Sequence, residues 1–168
     1  MKISRSFALA SLLAFAAAAA AQQAAPPAAA PAKPQAAKQQ LTPAQQAQVA
    51  RQDAEMIKAS TQVVQLVDQN KIGEVWDGAS SVAKSLVTKD NFVRQISADR
   101  QKLGAPATRK QVAVTRAAYA AGGQVPAGNY VNVVYATQFA NTPTPVRELV
   151  SFHLDEDKTW RVSGYSLR

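Results

Sequence analysis

The feature that most limits what this chain can fold into is a change of hydrophobic period at Pro106. Upstream, apolar residues recur at helical spacing; downstream, they alternate. Thr42 can cap a helix and Pro43 suits its first turn. Val49, Met56, Ser60, Val63, Val64 and Val67 then share one face of a helix that runs to about Asn70, and Lys71 to Gly73 break it. Ile72, Val75, Trp76, Ala79, Val82, Ala83 and Leu86 repeat as a second helix, with Gly78 its weak point. Thr88 caps a third, with Asp90 in its first turn, Phe92, Val93, Ile96 and Leu103 as its apolar residues, and Gly104 just past its end. After Pro106, strands are predicted over residues 108–119, 129–140, 146–154 and 159–168. The short links between them, a Gly/Pro loop at 122–128, NTPTP at 141–145 and an acidic turn at Asp155–Lys158, imply antiparallel hairpins. Helices first and hairpins afterwards specify an α+β fold: two to three N-terminal helices packed on one face of a curved four-stranded antiparallel sheet.

The first residues predict a compartment. Lys2 and Arg5 form a positive region, Phe7 to Phe15 an apolar one, and Ala16 to Ala21 the small residues that signal peptidase needs. The expectation is cleavage near Ala21, a mature chain beginning near Gln22, and a periplasmic or secreted protein. Cleavage there removes two cations and no acid, so a formal charge of +8 becomes about +6. Residues 22–41 are an Ala/Pro/Gln spacer whose prolines interrupt helix and whose small side chains offer nothing to bury, so the stretch is expected to be disordered. The chain has no cysteine, which excludes a disulfide framework, a thiol nucleophile and a lipid-bearing cysteine after the signal. The single domain over residues 42–168 must be held by its core.

Three stretches carry a family resemblance: FVRQISADRQKLGAPATRK (92–110), PAGNYVNVVYATQFAN (126–141) and RELVSFHLDEDKTWRVSGYSLR (147–168). Together they resemble the bacterial family catalogued as domain of unknown function 4019, over roughly Val67 to Arg168. The set Arg100, Gly104, Arg109, Gly128-Asn129-Tyr130, Phe139, Glu148, Trp160-Arg161-Val162 and Gly164-Tyr165 is specific as a group. Members often have Asp-Gly before the tryptophan, whereas Asp157 is followed here by Lys158-Thr159, which leaves the turn type open. The resemblance implies exported bacterial proteins with no assigned activity. The order of elements is also similar to the nuclear transport factor 2-like (cystatin-like) fold, which hosts enzymes and inert binding modules alike.

Most chemistries find no residues to carry them. His153 is the one histidine, and alternation with Val150, Phe152 and Leu154 turns it outward. Asp155-Glu156-Asp157 lack the ligand spacing of a calcium loop and read as a solvated turn, so no metal and no cofactor is expected. There is no Gly-x-Ser-x-Gly elbow and no glycine-rich phosphate loop leading into a helix. The basic residues are scattered, and Tyr135 and Phe139 share a face with Val131 and Val133, so nucleic acid is not expected as a partner. A protein, a small polar ligand or an anionic envelope surface fits the charge.

One pair of residues stands out. Arg100 falls within about 40° of the apolar face of the third helix, on a wheel of about 100° per residue. Glu148 is the one charge on the strand face shared by Val146, Val150, Phe152 and Leu154. Two opposite charges on buried faces are expected to pair, as a core ion pair or at the mouth of a pocket. Trp76, Tyr130, Tyr135, Phe139, Trp160 and Tyr165 are core aromatics, any of which could line such a pocket. Three functions stay open: a non-catalytic extracytoplasmic binding domain, a small enzyme with a pocket between helices and sheet, or a structural dimer formed through the sheet.

Overall fold

The computed structural model describes residues 41–168. The expected signal peptide, its cleavage bond and the spacer up to residue 40 lie outside the described residues. Helix α1 spans Pro43–Asp68, opened by a capping box in which Thr42 accepts from the backbone of Gln45 and the Gln45 side chain accepts from the backbone of Thr42. Asn70, at a φ of 58°, turns the chain out of the helix, a conformation asparagine tolerates. No helix among the described residues is long and apolar enough to cross a membrane.

The expected second helix is two. Helix α2 is Ile72–Asp77 and α3 is Ser81–Leu86. The break has a tertiary cause: Ala79 forms a parallel bridge with Val162 of the last strand, and the Ser80 backbone N–H donates to the Val162 carbonyl at 2.8 Å. The Ser80 side chain then caps α3 by accepting from the Ala83 N–H. Gly78 made the stretch breakable, and the sheet edge broke it. Helix α4 spans Lys89–Leu103, capped by Thr88 and ended by Gly104 at a φ of 78°. A side chain at Gly104 would also run into Asn141, whose Nδ2 donates to the Lys102 carbonyl.

The sheet has four strands in sequential antiparallel order: β1 Pro106–Tyr119, β2 Gly128–Phe139, β3 Val146–Leu154 and β4 Trp160–Leu167. Bulges interrupt β1 between Pro106 and Thr108 and between Gln111 and Ala113, and β4 opposite Ser151/Phe152. The turn into β4 puts Lys158 at a φ of 62°, so lysine adopts the left-handed conformation that a glycine would take at no steric cost. One sheet face, with Val131, Val133, Tyr135, Val150, Phe152 and Val162, packs against Met56, Val63, Val64 and Val67 of α1, Ile72 and Val75 of α2, and Phe92 and Ile96 of α4. This is the α+β architecture expected from the period change.

Candidate functional site

Glu148, fully buried on the helix-facing side of β3, is the centre of the main polar cluster. Its expected partner Arg100 does not reach it. Arg109 of β1 does, donating from Nε to Oε2 at 2.6 Å and from Nη2 to Oε1 at 3.2 Å. The same guanidinium forks onto Asp68, the last residue of α1, at 2.8 and 3.0 Å. Arg100 points at the sheet as the helical wheel requires, but its Nη2 donates to Asp68 at 3.0 Å, and its guanidinium stacks 4.6 Å above the Phe139 ring. Its Nη1 is buried there without a hydrogen-bond partner. The reason is register. Thr137 lies opposite Arg109 on one side, and Tyr135 lies opposite Glu148 on the other, so Arg109 and Glu148 are diagonal neighbours across β2 on one face.

Glu148 accepts two further bonds, from the Thr137 hydroxyl and the Tyr165 hydroxyl, each at 2.6 Å. Both its oxygens are therefore doubly engaged. Burial, and then the Glu148 charge, push the Tyr165 phenol far above its ordinary range. Burial works against charge on Arg109, but its bonds to Asp68 and Glu148 outweigh it and hold the guanidinium protonated. Two carboxylates and two guanidiniums balance, and the network joins α1, α4 and all four strands. A network of this kind fixes how the elements sit, and the Glu148 carboxylate at its centre has no lone pair left for a proton in flight.

His153 is a second departure from the sequence reading. It lies on the outer face but is buried there, packed 4.9 Å from the Tyr130 ring, with Nδ1 at 2.8 Å from Asp155 Oδ1. Asp155 is also held by Arg161 and by the backbone N–H of Ser81. Burial opposes the Asp155 charge, yet the bonds from His153, Arg161 and Ser81 keep its carboxyl below the usual range. An aspartate orienting a histidine is half of a hydrolytic triad. The other half is missing, because Nε2 is buried against the backbone of Gly128 and has no hydrogen-bond partner. Alternation placed His153 correctly on the outer face, but Tyr130 and the glycine beside it on β2 close that face over the ring.

Asp155 gives the domain an acid dependence of definite sign. Because its folded value is depressed, its contribution is complete above the ordinary aspartate range of about 3.9 and is lost as pH falls through the lowered value. Asp155→Asn should lower the Tm at neutral pH and flatten its fall below about pH 4. Melting curves of both proteins across that interval check this, and parallel acid limbs would remove Asp155 from the account.

The proposed pocket aromatics do not converge. Trp76 packs on the core with its Nε1 3.4 Å from the Val87 carbonyl, Tyr135 shares a buried hydrogen bond with Ser60, Phe139 is buried beneath Arg100, and Tyr165 belongs to the Glu148 network. Tyr130 and Trp160 line an opening of about 370 Å³ with Arg116, Val131 and Leu154, where α1 approaches the β1–β2 hairpin. Gln52 and Asp53 of α1 hold Arg116 at its edge. A larger groove of about 530 Å³ lies on the opposite, outer face of the sheet. Among the described residues there is no cluster of three or more metal-ligating side chains.

A family model described as a protein of unknown function (DUF4019) matches residues 59–165, which include the Glu148 network, His153 and the residues lining the outer groove except Arg168. No curated protein matches the chain.

Proposed function

We propose, starting from the chain's membership of the DUF4019 family, that it is a non-catalytic binding domain of the extracytoplasmic space. The observation that carries this reading is the closure of its reactive groups. Glu148 has every acceptor position filled, and His153 Nε2 faces backbone. Neither is presented to a substrate as a general base must be. Three of the five exposed large apolar side chains among the described residues, by contrast, gather around an open groove, which is what binding surfaces offer. The N-terminal pattern of Lys2, Arg5, the apolar run and the alanines supports export.

Two measurements test this. N-terminal sequencing of the protein from an envelope fraction should begin near Gln22, and a product still carrying Lys2 would defeat the export reading. Native purification followed by mass spectrometry should return a bound molecule that the purified protein releases unchanged. Chemical conversion of that molecule on incubation would make the protein an enzyme instead.

A further inference from the structure

We propose that the groove on the outer face of the sheet binds a small free amphiphile, with an aliphatic body and an anionic head. This rests on the binding-domain reading and names its site and ligand class. Three side-by-side features carry it. The first is the walls. Leu86, 68% exposed, and Val82 one turn before it line the groove from α3; Tyr119 lines it from the end of β1 and Val125 from the β1–β2 connection. Leu86, Tyr119 and Val125 are three of the five large apolar side chains left exposed among the described residues, and they gather around this one groove. Leaving that much apolar surface in water has a cost that an aliphatic occupant would remove.

The second feature is the floor. Asn132 and Ser151 are direct register partners across β2 and β3, and both line the groove. Neither side chain makes a hydrogen bond with another described residue, so an amide and a hydroxyl stand ready between apolar walls. Apolar walls with a few free polar groups are the composition of small-molecule sites.

The third feature is a pair of like charges. Arg147 of β3 and Arg168, the residue after β4, face each other, with backbone bonds in both directions at 2.7 and 2.9 Å. Like charges directly opposite on a sheet repel. Neither arginine makes an ion pair among the described residues, and Asp99, which shares a neighbouring opening with Arg168, is paired with Lys102. An arginine pair whose side chains have no ion-pair partner among the described residues can take a carboxylate or phosphate. Arg168 lines the groove, and Arg147 lies four residues before Ser151 on the same strand face, roughly 13 Å away at the rise of a strand. The cationic end and the floor at Ser151 are thus separated by about the length of a medium aliphatic chain.

The test is a titration of the full exported chain with octanoate and with octyl glucoside, both below micelle formation, followed by NMR. Octanoate should shift the signals of Leu86, Val125, Asn132 and Ser151 saturably. Octyl glucoside, with the same chain and no charge, should bind about tenfold more weakly, as should octanoate to an Arg147→Gln, Arg168→Gln double variant. Equal binding of both probes would overturn the anionic-head assignment. Shifts confined to the Trp160 indole and Ala117 would move the site to the opening under α1 and overturn the groove, while leaving a binding domain. No saturable shift with either probe would overturn the ligand class. So would a response to phosphatidylglycerol vesicles with octanoate silent, since the partner would then be a membrane surface. None of these outcomes depends on whether a molecule co-purifies, so the broader binding reading is judged separately.

Discussion

Replacing Arg109 by methionine should cost the domain about 3–5 kcal/mol, far more than the same change at Arg100. The difference follows from what each arginine leaves behind. Without Arg109, Glu148 is a fully buried carboxylate with two hydroxyl donors and no countercharge. Without Arg100, Asp68 keeps both bonds to Arg109 and is partly open to water, so the loss should be about 1–2 kcal/mol. Adding Glu148→Leu to Arg109→Met should recover a substantial part of the loss, because the stranded charge goes with it. Recovery will be incomplete, since Thr137 and Tyr165 lose their acceptor. Chemical denaturation of the two single variants and the double variant reads these differences through the midpoint. Equal losses at Arg100 and Arg109, or strict additivity of Arg109 with Glu148, would show that the network is not coupled as its hydrogen bonds indicate.

Gly128→Ala should be the most damaging glycine-to-alanine change among the described residues. A Cβ there would sit 2.2 Å from His153 Nε2, and the backbone φ of 141° is one that alanine adopts only under strain. The ring must move, and in moving it loses Asp155, which also anchors Arg161 and the start of α3. Overpacking and positive-φ strain each cost about 1–3 kcal/mol, so a loss of about 2–6 kcal/mol is expected. The two contributions separate in a cycle. In a His153→Ala background the steric part disappears and the backbone part remains, so the cost of Gly128→Ala should fall by roughly half. An unchanged cost would place all of the effect in the backbone. Loss of the His153 Nδ1–H resonance in Gly128→Ala is the accompanying spectroscopic sign.

Much of the fold was legible because short-range signals and tertiary outcome agree. The change of period at Pro106, the caps at Thr42 and Thr88, and Gly104 at the end of α4 each act within a few residues, and each element begins or ends where these residues stand. The helix over 72–86 was misread because its interruption comes from β4, some 80 residues away, which takes the Ser80 N–H. For the site, amphipathic spacing was enough to turn Arg100 and Glu148 toward the interior. It could not name their partners. Arg109 lies between two bulges that upset the alternation of β1, so its inward face cannot be read from the sequence. Asp68 sits at the end of α1, where a helical wheel reads as solvent.

The sequence by itself determined most of the stretches that become helix or strand, the order that makes the sheet antiparallel, and which side chains face inward wherever no bulge interrupts the period. Periodicity and capping are properties of neighbouring residues, so they survive without knowledge of the rest of the chain. Only the tertiary structure decided who pairs with whom: Arg109 rather than Arg100 on Glu148, a His153 covered rather than solvated on its outer face, and an arginine pair brought together from Arg147 and Arg168. Those outcomes depend on register and on bulges, where a shift of one residue moves a side chain to the other face, and no local pattern in the sequence sets that shift.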